Sequence, residues 1–244
     1  MLSTIAAIST AVSSAGIGII RISGPDAMNV IDRIYRSKGG KKRIKEMQSH
    51  TIHYGYIYDE ETLIDEVLVM IMKAPKTFTG EDTVEIDCHG GIYTCKKVLE
   101  TVLKHGARTA SPGEFTKRAF LNGRLDLSQA EAVMDVIQAK NDYALKSSME
   151  QLKGSVKKSI VEIRRKILYH IAYIESALDD PEHICLDGYP DELMEVVKQV
   201  QTDIDKLISS ADDGKIIQEG IKTVILGKPN AGKSSLLNVL VGSE

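Results

Sequence analysis

The chain has 244 residues, room for about one to two domains, with the balance of apolar and charged residues of a globular protein. A net charge of −3 excludes whole-molecule attraction to nucleic acid, so any such contact must be local, and no apolar run approaches the length of a membrane span. Cys88, Cys95 and Cys185 do not make a disulfide framework, and MLSTIAAIST lacks the basic start and long apolar core of a secretory signal, which together imply a reducing, cytoplasmic setting.

The first half reads as a mixed α+β domain. Apolar stretches at 4–8 and 17–22 predict strands, and 27–35 predicts a short helix. Arg33, Arg36, Lys38, Lys41, Lys42, Arg43 and Lys45 then surround Gly39-Gly40, a basic loop that fits a solvated connector better than an RNA contact. Further strands are predicted at 51–58, 67–72 and 83–87, and a helix at about 92–105. The absence of Trp and the presence of three Phe leave a core of Ile, Val, Leu, Met and Ala. Cys88, His89 and Cys95 lie close together, but their spacing matches no common zinc signature and lacks a fourth ligand. A buried cysteine and a backbone-bonded histidine are expected instead.

From Asp126 the pattern becomes helical. Leu145, Met149, Leu152, Val156, Ile160, Ile163, Ile167, Ile171, Ile174 and Leu178 are spaced 4-3-4-4-3-4-4-3-4, a period of about 3.67 residues. Such a seam suits a bundle helix rather than a zipper, with Gly154 as its weak point, about 1 kcal/mol worse than Ala. Asp179-Asp180-Pro181 ends it, and a second helix at about 191–210 is expected to pack antiparallel. Two helices do not complete a bundle, so the exposed seam calls for a partner chain or further helices.

Residues 227–235 read GKPNAGKSS, a G-x-x-x-x-G-K-S phosphate loop. A buried-strand pattern, Ile221 and Val224-Ile225-Leu226, precedes it, and a helix pattern at 235–240 follows. Such a turn cradles phosphates with backbone N–H groups at a helix N-terminus. Asn230, Ala231, Gly232, Lys233, Ser234 and Ser235 are the candidate nucleotide contacts, with Lys233 on the phosphates and Ser234 on Mg²⁺. The loop opens a nucleotide-binding domain, and nine residues after Ser235 cannot finish one, so a longer protein is expected. Residues after about 217 are expected to be loose or wrongly packed.

TIAAIST at 4–10, GIGIIRISG at 16–24, FTGEDTVEIDCHGG at 78–91, SPGEFTKRAFLNGRLDLSQAEAV at 111–133 and GKPNAGKSSLLN at 227–238 identify a family. The chain resembles the MnmE (TrmE) family of tRNA modification GTPases, the 111–133 stretch being the most specific. The resemblance implies an α+β N-terminal domain of the folate-binding T-protein type at 1–122, a helical domain at 123–217, and the first strand, phosphate loop and helix of an α/β GTPase domain at 218–244. It implies a homodimer through the N-terminal domain and a partner protein carrying FAD and NADH. The tRNA substrate would gain a carboxymethylaminomethyl-type group on C5 of its wobble uridine (U34). 5-Formyl- or methylene-tetrahydrofolate would supply the one-carbon unit, and GTP hydrolysis would need Mg²⁺ and K⁺. Carried over residue by residue, Arg21, Glu85 and Arg124 contact folate, and Asn230 ligates K⁺. Arginines suit the glutamate tail and a carboxylate suits the pterin donors, the alternative for each being a structural ion pair. The AVSSAG turn at 11–16 and the DDPEHICLDG hinge depart from the family pattern, and no D-x-x-G, N-K-x-D or C-terminal cysteine motif follows the phosphate loop. No catalytic residue is therefore assigned. Two other readings stay open, a folate-binding dimerisation module without nucleotide chemistry and an unrelated P-loop ATPase.

Overall fold

The computed structural model describes residues 3–39, 43–184, 186–220 and 223–242, with backbone alone for 211–213 and 215–219. Gly40, Lys41 and Lys42 of the basic loop, Cys185 and Ile221 lie outside the described residues. The chain divides into two compact units, Met1–Val133 and Met134–Glu244.

The first unit is built on strict alternation. Its strands are β1 (Ile5–Ile8), β2 (Ile17–Ser23), β3 (Tyr35–Ser37), β4 (Thr51–Asp59), β5 (Thr62–Met72), β6 (Thr83–His89) and β7 (Arg108–Thr109). They form one sheet in the order β3-β4-β5-β6-β2-β1-β7, antiparallel except for the parallel β1–β7 pair. Ile20 and Ile22 of β2, Val84 and Ile86 of β6, and Val67, Val69 and Ile71 of β5 all turn to one face and are buried. Helices α1 (Ala27–Ile34) and α2 (Ile92–Lys104) cover that face with Val30, Ile31, Ile34, Val98 and Val102. A Cβ on Gly18 would lie 2.2 Å from the Cys95 sulfur, so β2 requires glycine where α2 approaches it. The opposite face stays open, with Ile17, Ile52, Tyr54 and Leu68 exposed.

Several elements of this unit go beyond the predicted ones, a short 3-10 turn at Ile44–Glu46 among them. β3 and β7 are three and two residues long and exist through their neighbours, Tyr35 opposite Ile57 and Ile5 opposite Arg108. α3 (Glu114–Leu121) follows Gly113 and packs the buried Arg118 and Ala119 inward. α4 (Leu127–Gln138) spans the division between the units.

The second unit holds α5 (Asp142–Leu152), α6 (Ser155–Asp179), α7 (Tyr189–Glu219) and α8 (Lys233–Val241). The predicted continuous seam is broken. Gly154 takes φ +86°, its N–H bonds Gln151 O at 2.8 Å, and α6 starts anew behind it. The left-handed conformation open to glycine closes one helix and opens the next. α7 returns antiparallel to α6, tied by Lys166–Asp203 at 3.3 Å, and runs past the predicted end at 210. The buried His170 ring meets the Tyr189 hydroxyl at 2.8 Å. Leu145, Ile160, Ile167, Ile171 and Leu178 of the seam remain exposed. The strand expected at 224–226 has no ladder among the described residues, and Val224 and Leu226 are exposed. A strand needs a neighbour for its N–H and C=O groups, and among the described residues this segment has no strand pairing.

Candidate functional site

Arg21 and Glu85 sit directly opposite each other on β2 and β6, on the face away from α1 and α2. The alternation that buries Ile20, Ile22, Val84 and Ile86 turns these two charges outward together. Arg21 Nε donates to Glu85 Oε1 at 2.7 Å, both side chains being mostly covered. The ion-pair alternative is thus present in the geometry. It uses one donor, and the two terminal amino groups of Arg21 make no hydrogen bond among the described residues.

Two phenylalanine rings complete the cluster. The Arg21 guanidinium lies 5.5 Å from the Phe78 ring centre and 5.6 Å from that of Phe115. Arg124 lies 5.0 Å from the same Phe78 ring. The loop carrying Phe78 is pinned on both sides of it, by Thr77 Oγ1 donating to Glu81 O at 2.6 Å and Asn122 Nδ2 donating to Thr79 O at 2.7 Å. Arg124 reaches the ring because α3 ends in a tight reversal, in which Gly123 has φ +72° and the Arg124 N–H returns to Ala119 O at 2.9 Å. Arg21 and Arg124 therefore share the Phe78 ring, and Glu85 joins them through its ion pair with Arg21. The rings were missed. Their signal was scarcity, since two of the chain's three phenylalanines fall inside the motifs FTGED and GEFTKR.

Beneath the cluster runs a buried ion network. Arg118, 1% exposed, donates to Glu81 at 3.0 Å, to Glu114 at 3.0 Å and to the Ser3 carbonyl at 2.7 Å. Glu114 also takes the Arg108 guanidinium, Nη1 donating at 2.9 Å, and that bond is the chief reason its carboxyl falls to about 2. Glu81 further accepts from Ser23 at 2.8 Å. Glu81, Glu85 and Glu114 thus each hold a guanidinium. The Arg124 guanidinium has no hydrogen bond or ion pair among the described residues, and the residue is exposed. The site offers an uncommitted cation, a half-committed one, a carboxylate and two aromatic faces.

Along the same face, Gly16, Ile17, Tyr54, Glu66, Leu68, Asp87 and His89 line a shallow cavity of about 260 Å³. Burial, helped by the charge of Glu85, raises the Asp87 pKa. His89 differs from the expected backbone-bonded histidine, because its ring Nδ1 bonds the Asp65 carboxylate at 2.7 Å while its own N–H donates to the other oxygen at 2.8 Å. Asp65 lies in the unpredicted first half of β5, so nothing local in the sequence announced the pair. Cys88 and Cys95 are buried with sulfurs 3.8 Å apart. Burial, with Cys95 beside it, pushes the Cys88 thiol up to about 12. Among the described residues no group of three His, Cys, Asp or Glu is suited to hold a metal.

In the second unit the phosphate-loop turn is formed. Asn230 has φ +59° and Gly232 φ +77°, and Gly232 caps α8. Lys233 Nζ donates to the carbonyls of Gly227 at 3.1 Å and Lys228 at 2.8 Å, so its ammonium lies inside its own loop. Ala231, Ser234 and Ser235 are exposed around the helix N-terminus. An exposed hydroxyl at Ser234 and an amide oxygen at Asn230 are hard oxygen donors of the kind Mg²⁺ and K⁺ take, with phosphates and water left to supply the rest. Leu236, Leu237, Val239 and Leu240 are half or more exposed. Among the described residues no helix is long and apolar enough to cross a membrane.

A family model described as GTP-binding protein TrmE N-terminus matches residues 4–124, and one described as MnmE helical domain matches residues 127–239. The chain is similar to proteins named tRNA modification GTPase MnmE. That of Lachnoclostridium phytofermentans is 61% identical over 241 residues, which is 99% of this chain and 53% of the relative. That of Thermoanaerobacter pseudethanolicus is 54% identical, over 98% of this chain and 52% of the relative. That of Clostridioides difficile is 52% identical, over 99% and 52%. The chain spans about half the length of the curated relatives it matches.

Proposed function

This chain belongs to the MnmE (TrmE) family, and from that membership we propose that it forms the folate-binding and phosphate-binding portion of a GTPase that modifies tRNA at the wobble uridine. The observation that carries the folate reading is that Arg21 and Arg124 share the Phe78 ring while Glu85 pairs with Arg21. A reduced folate joins a planar, donor-rich head to an anionic tail. Glu85 accepts from the head, the rings flank it, and the Arg21 and Arg124 guanidinium groups take the tail carboxylates. Bound folate supplies the one-carbon unit for the new group on U34, while these side chains bind and orient it.

At the second site Lys233 leaves its own carbonyls for the β- and γ-phosphates, Ser234 holds Mg²⁺, and Asn230 holds K⁺. Ala231, Gly232 and Ser235 present backbone N–H groups to the phosphates. GTP turnover by the whole protein is then expected to run faster in K⁺ than in Na⁺, and equal rates in both salts would remove the Asn230 assignment. The exposed apolar residues of the open sheet face, Ile17, Ile52, Tyr54 and Leu68, support pairing of two N-terminal domains into a homodimer. A protein carrying FAD and NADH completes the complex, in the cytoplasm.

The direct test is calorimetric titration with 5-formyltetrahydrofolate, beside Arg21→Ala and a sizing run. Binding by a dimer that is lost in the variant is expected. A well-folded dimer that binds no folate would overturn the reading. A second reading, a folate-binding dimerisation module without nucleotide chemistry, is favoured for these 244 residues by the exposed α8 and the unladdered 223–228 segment.

A further inference from the structure

Arg124 is in an unusual position for a surface arginine. The carboxylates of the site, Glu81, Glu85 and Glu114, are each already matched to another guanidinium. An exposed, flexible guanidinium ordinarily joins such a network, adding a second cation to a carboxylate that accepts at several lone pairs. The Arg124 guanidinium instead lies over the Phe78 ring at 5.0 Å and makes no hydrogen bond or ion pair among the described residues.

The ring explains how. An aromatic face attracts the flat side of a guanidinium with an energy similar to that of an exposed ion pair, but it occupies none of the five N–H donors at the guanidinium edge. Phe78 therefore competes with the carboxylates for Arg124 while leaving its fork free for a ligand. The same ring lies 5.5 Å from the Arg21 guanidinium, which keeps two amino groups free. The loop is built to hold the ring there, since Thr77 and Thr79 on either side are buried and hydrogen-bonded to Glu81, Ser23 and Asn122.

We propose that Phe78 is a positioning and specificity-determining residue of this site, whose ring keeps the Arg124 guanidinium uncommitted beside Arg21 and so selects planar ligands that carry an anionic tail. The ligand class rests on the folate reading above, but the state of Arg124 does not.

Two measurements on the full-length protein separate the two. The first is the rate at which phenylglyoxal, a reagent for free guanidinium groups, modifies Arg124, read by peptide mass spectrometry. Phe78→Leu is expected to slow this several-fold, as Arg124 turns to a carboxylate, and Phe78→Tyr to restore it. An Arg124 rate unchanged by Phe78→Leu overturns the proposal whatever the ligand. The second is the affinity for 5-formyltetrahydrofolate against that for 6-methyltetrahydropterin, which lacks the tail. Phe78→Leu is expected to weaken the tailed ligand on the order of tenfold and the tail-free one little, with rescue by Phe78→Tyr. Equal weakening of both would make Phe78 a plain stacking surface and refute the selectivity claim. Failure of the wild-type protein to bind either ligand, with the Arg124 rates behaving as expected, would sink the folate reading and leave the role of Phe78 intact.

Discussion

Asp65 and His89 form a two-bond unit, one carboxylate oxygen on the ring and the other on the backbone N–H of the same residue. The hydrogen bond to Asp65 is the main cause that raises the His89 pKa above its ordinary 6.5, with the charge of the same carboxylate second. The sign follows. A histidine raised in the folded state contributes stability that is complete below its unfolded pKa and is lost as pH rises through the folded one. Asp65→Asn keeps the shape but removes the charge and the strong acceptor. The His89 ring protons, followed by NMR titration, are expected to move their midpoint downward in this variant. An unchanged midpoint would mean that Asp65 does not hold the proton, and the pair beside the open-face cavity would then be a packing contact.

Glycine decides the largest difference between the expected and observed elements. The 145–178 pattern reads as one helix because apolar spacing is blind to a single residue's φ. At Gly154 the chain is left-handed, at φ +86°, and α5 and α6 are separate helices. The two readings give opposite signs for one substitution. Inside a helix Gly→Ala stabilises by about 1 kcal/mol, whereas at a left-handed position it destabilises by roughly 1 kcal/mol. Gly154→Ala is therefore expected to lower the urea midpoint of unfolding, and a raised midpoint would restore the continuous helix. The same physics sorts what was legible elsewhere. β2, β6 and α2 were readable because their period is local and their flanks carry glycine punctuation. β3 and β7 draw their hydrogen bonds from distant partners such as Ile57 and Ile5, and such pairing leaves little trace in a short stretch, while the first half of β5 is a hairpin arm that buries no face to read. Arg21, Glu85 and Arg124 were named from the family resemblance. Their grouping, the two arginines on the Phe78 ring and Glu85 through Arg21, depends on the β2–β6 register and on the reversal at Gly123, which no motif spells out.

The distribution of buried surface across the chain is uneven, and it sets where stability resides. Ile20, Ile22, Val69, Ile71, Val84 and Ile86 are completely buried in the sheet unit. In the helical unit the seam residues Leu145, Ile160, Ile167 and Ile171 keep 43% or more of their surface, and Leu240 of α8 keeps 70%. Local opening free energy follows buried apolar contact, so amide exchange is expected to be slowest in β2, β5 and β6 and fastest from 223 to 242. Nucleotide adds a sharper consequence. A phosphate loop binds through backbone N–H groups held rigid by the strand before it and the helix after it. Here that strand has no ladder and that helix has an exposed apolar face. Ordering 223–242 around a triphosphate must then offset about 1–2 kcal/mol of backbone entropy per residue, which phosphate contacts alone cannot supply for twenty residues. The expected result for the 244-residue chain is that saturating Mg²⁺ and GTP leave exchange at 223–242 unchanged. In a protein of the length of its curated relatives the same segment is expected to become protected. Protection by GTP in the 244-residue chain itself would show that the loop needs no further sheet to hold its shape, and would return nucleotide chemistry to this part of the molecule.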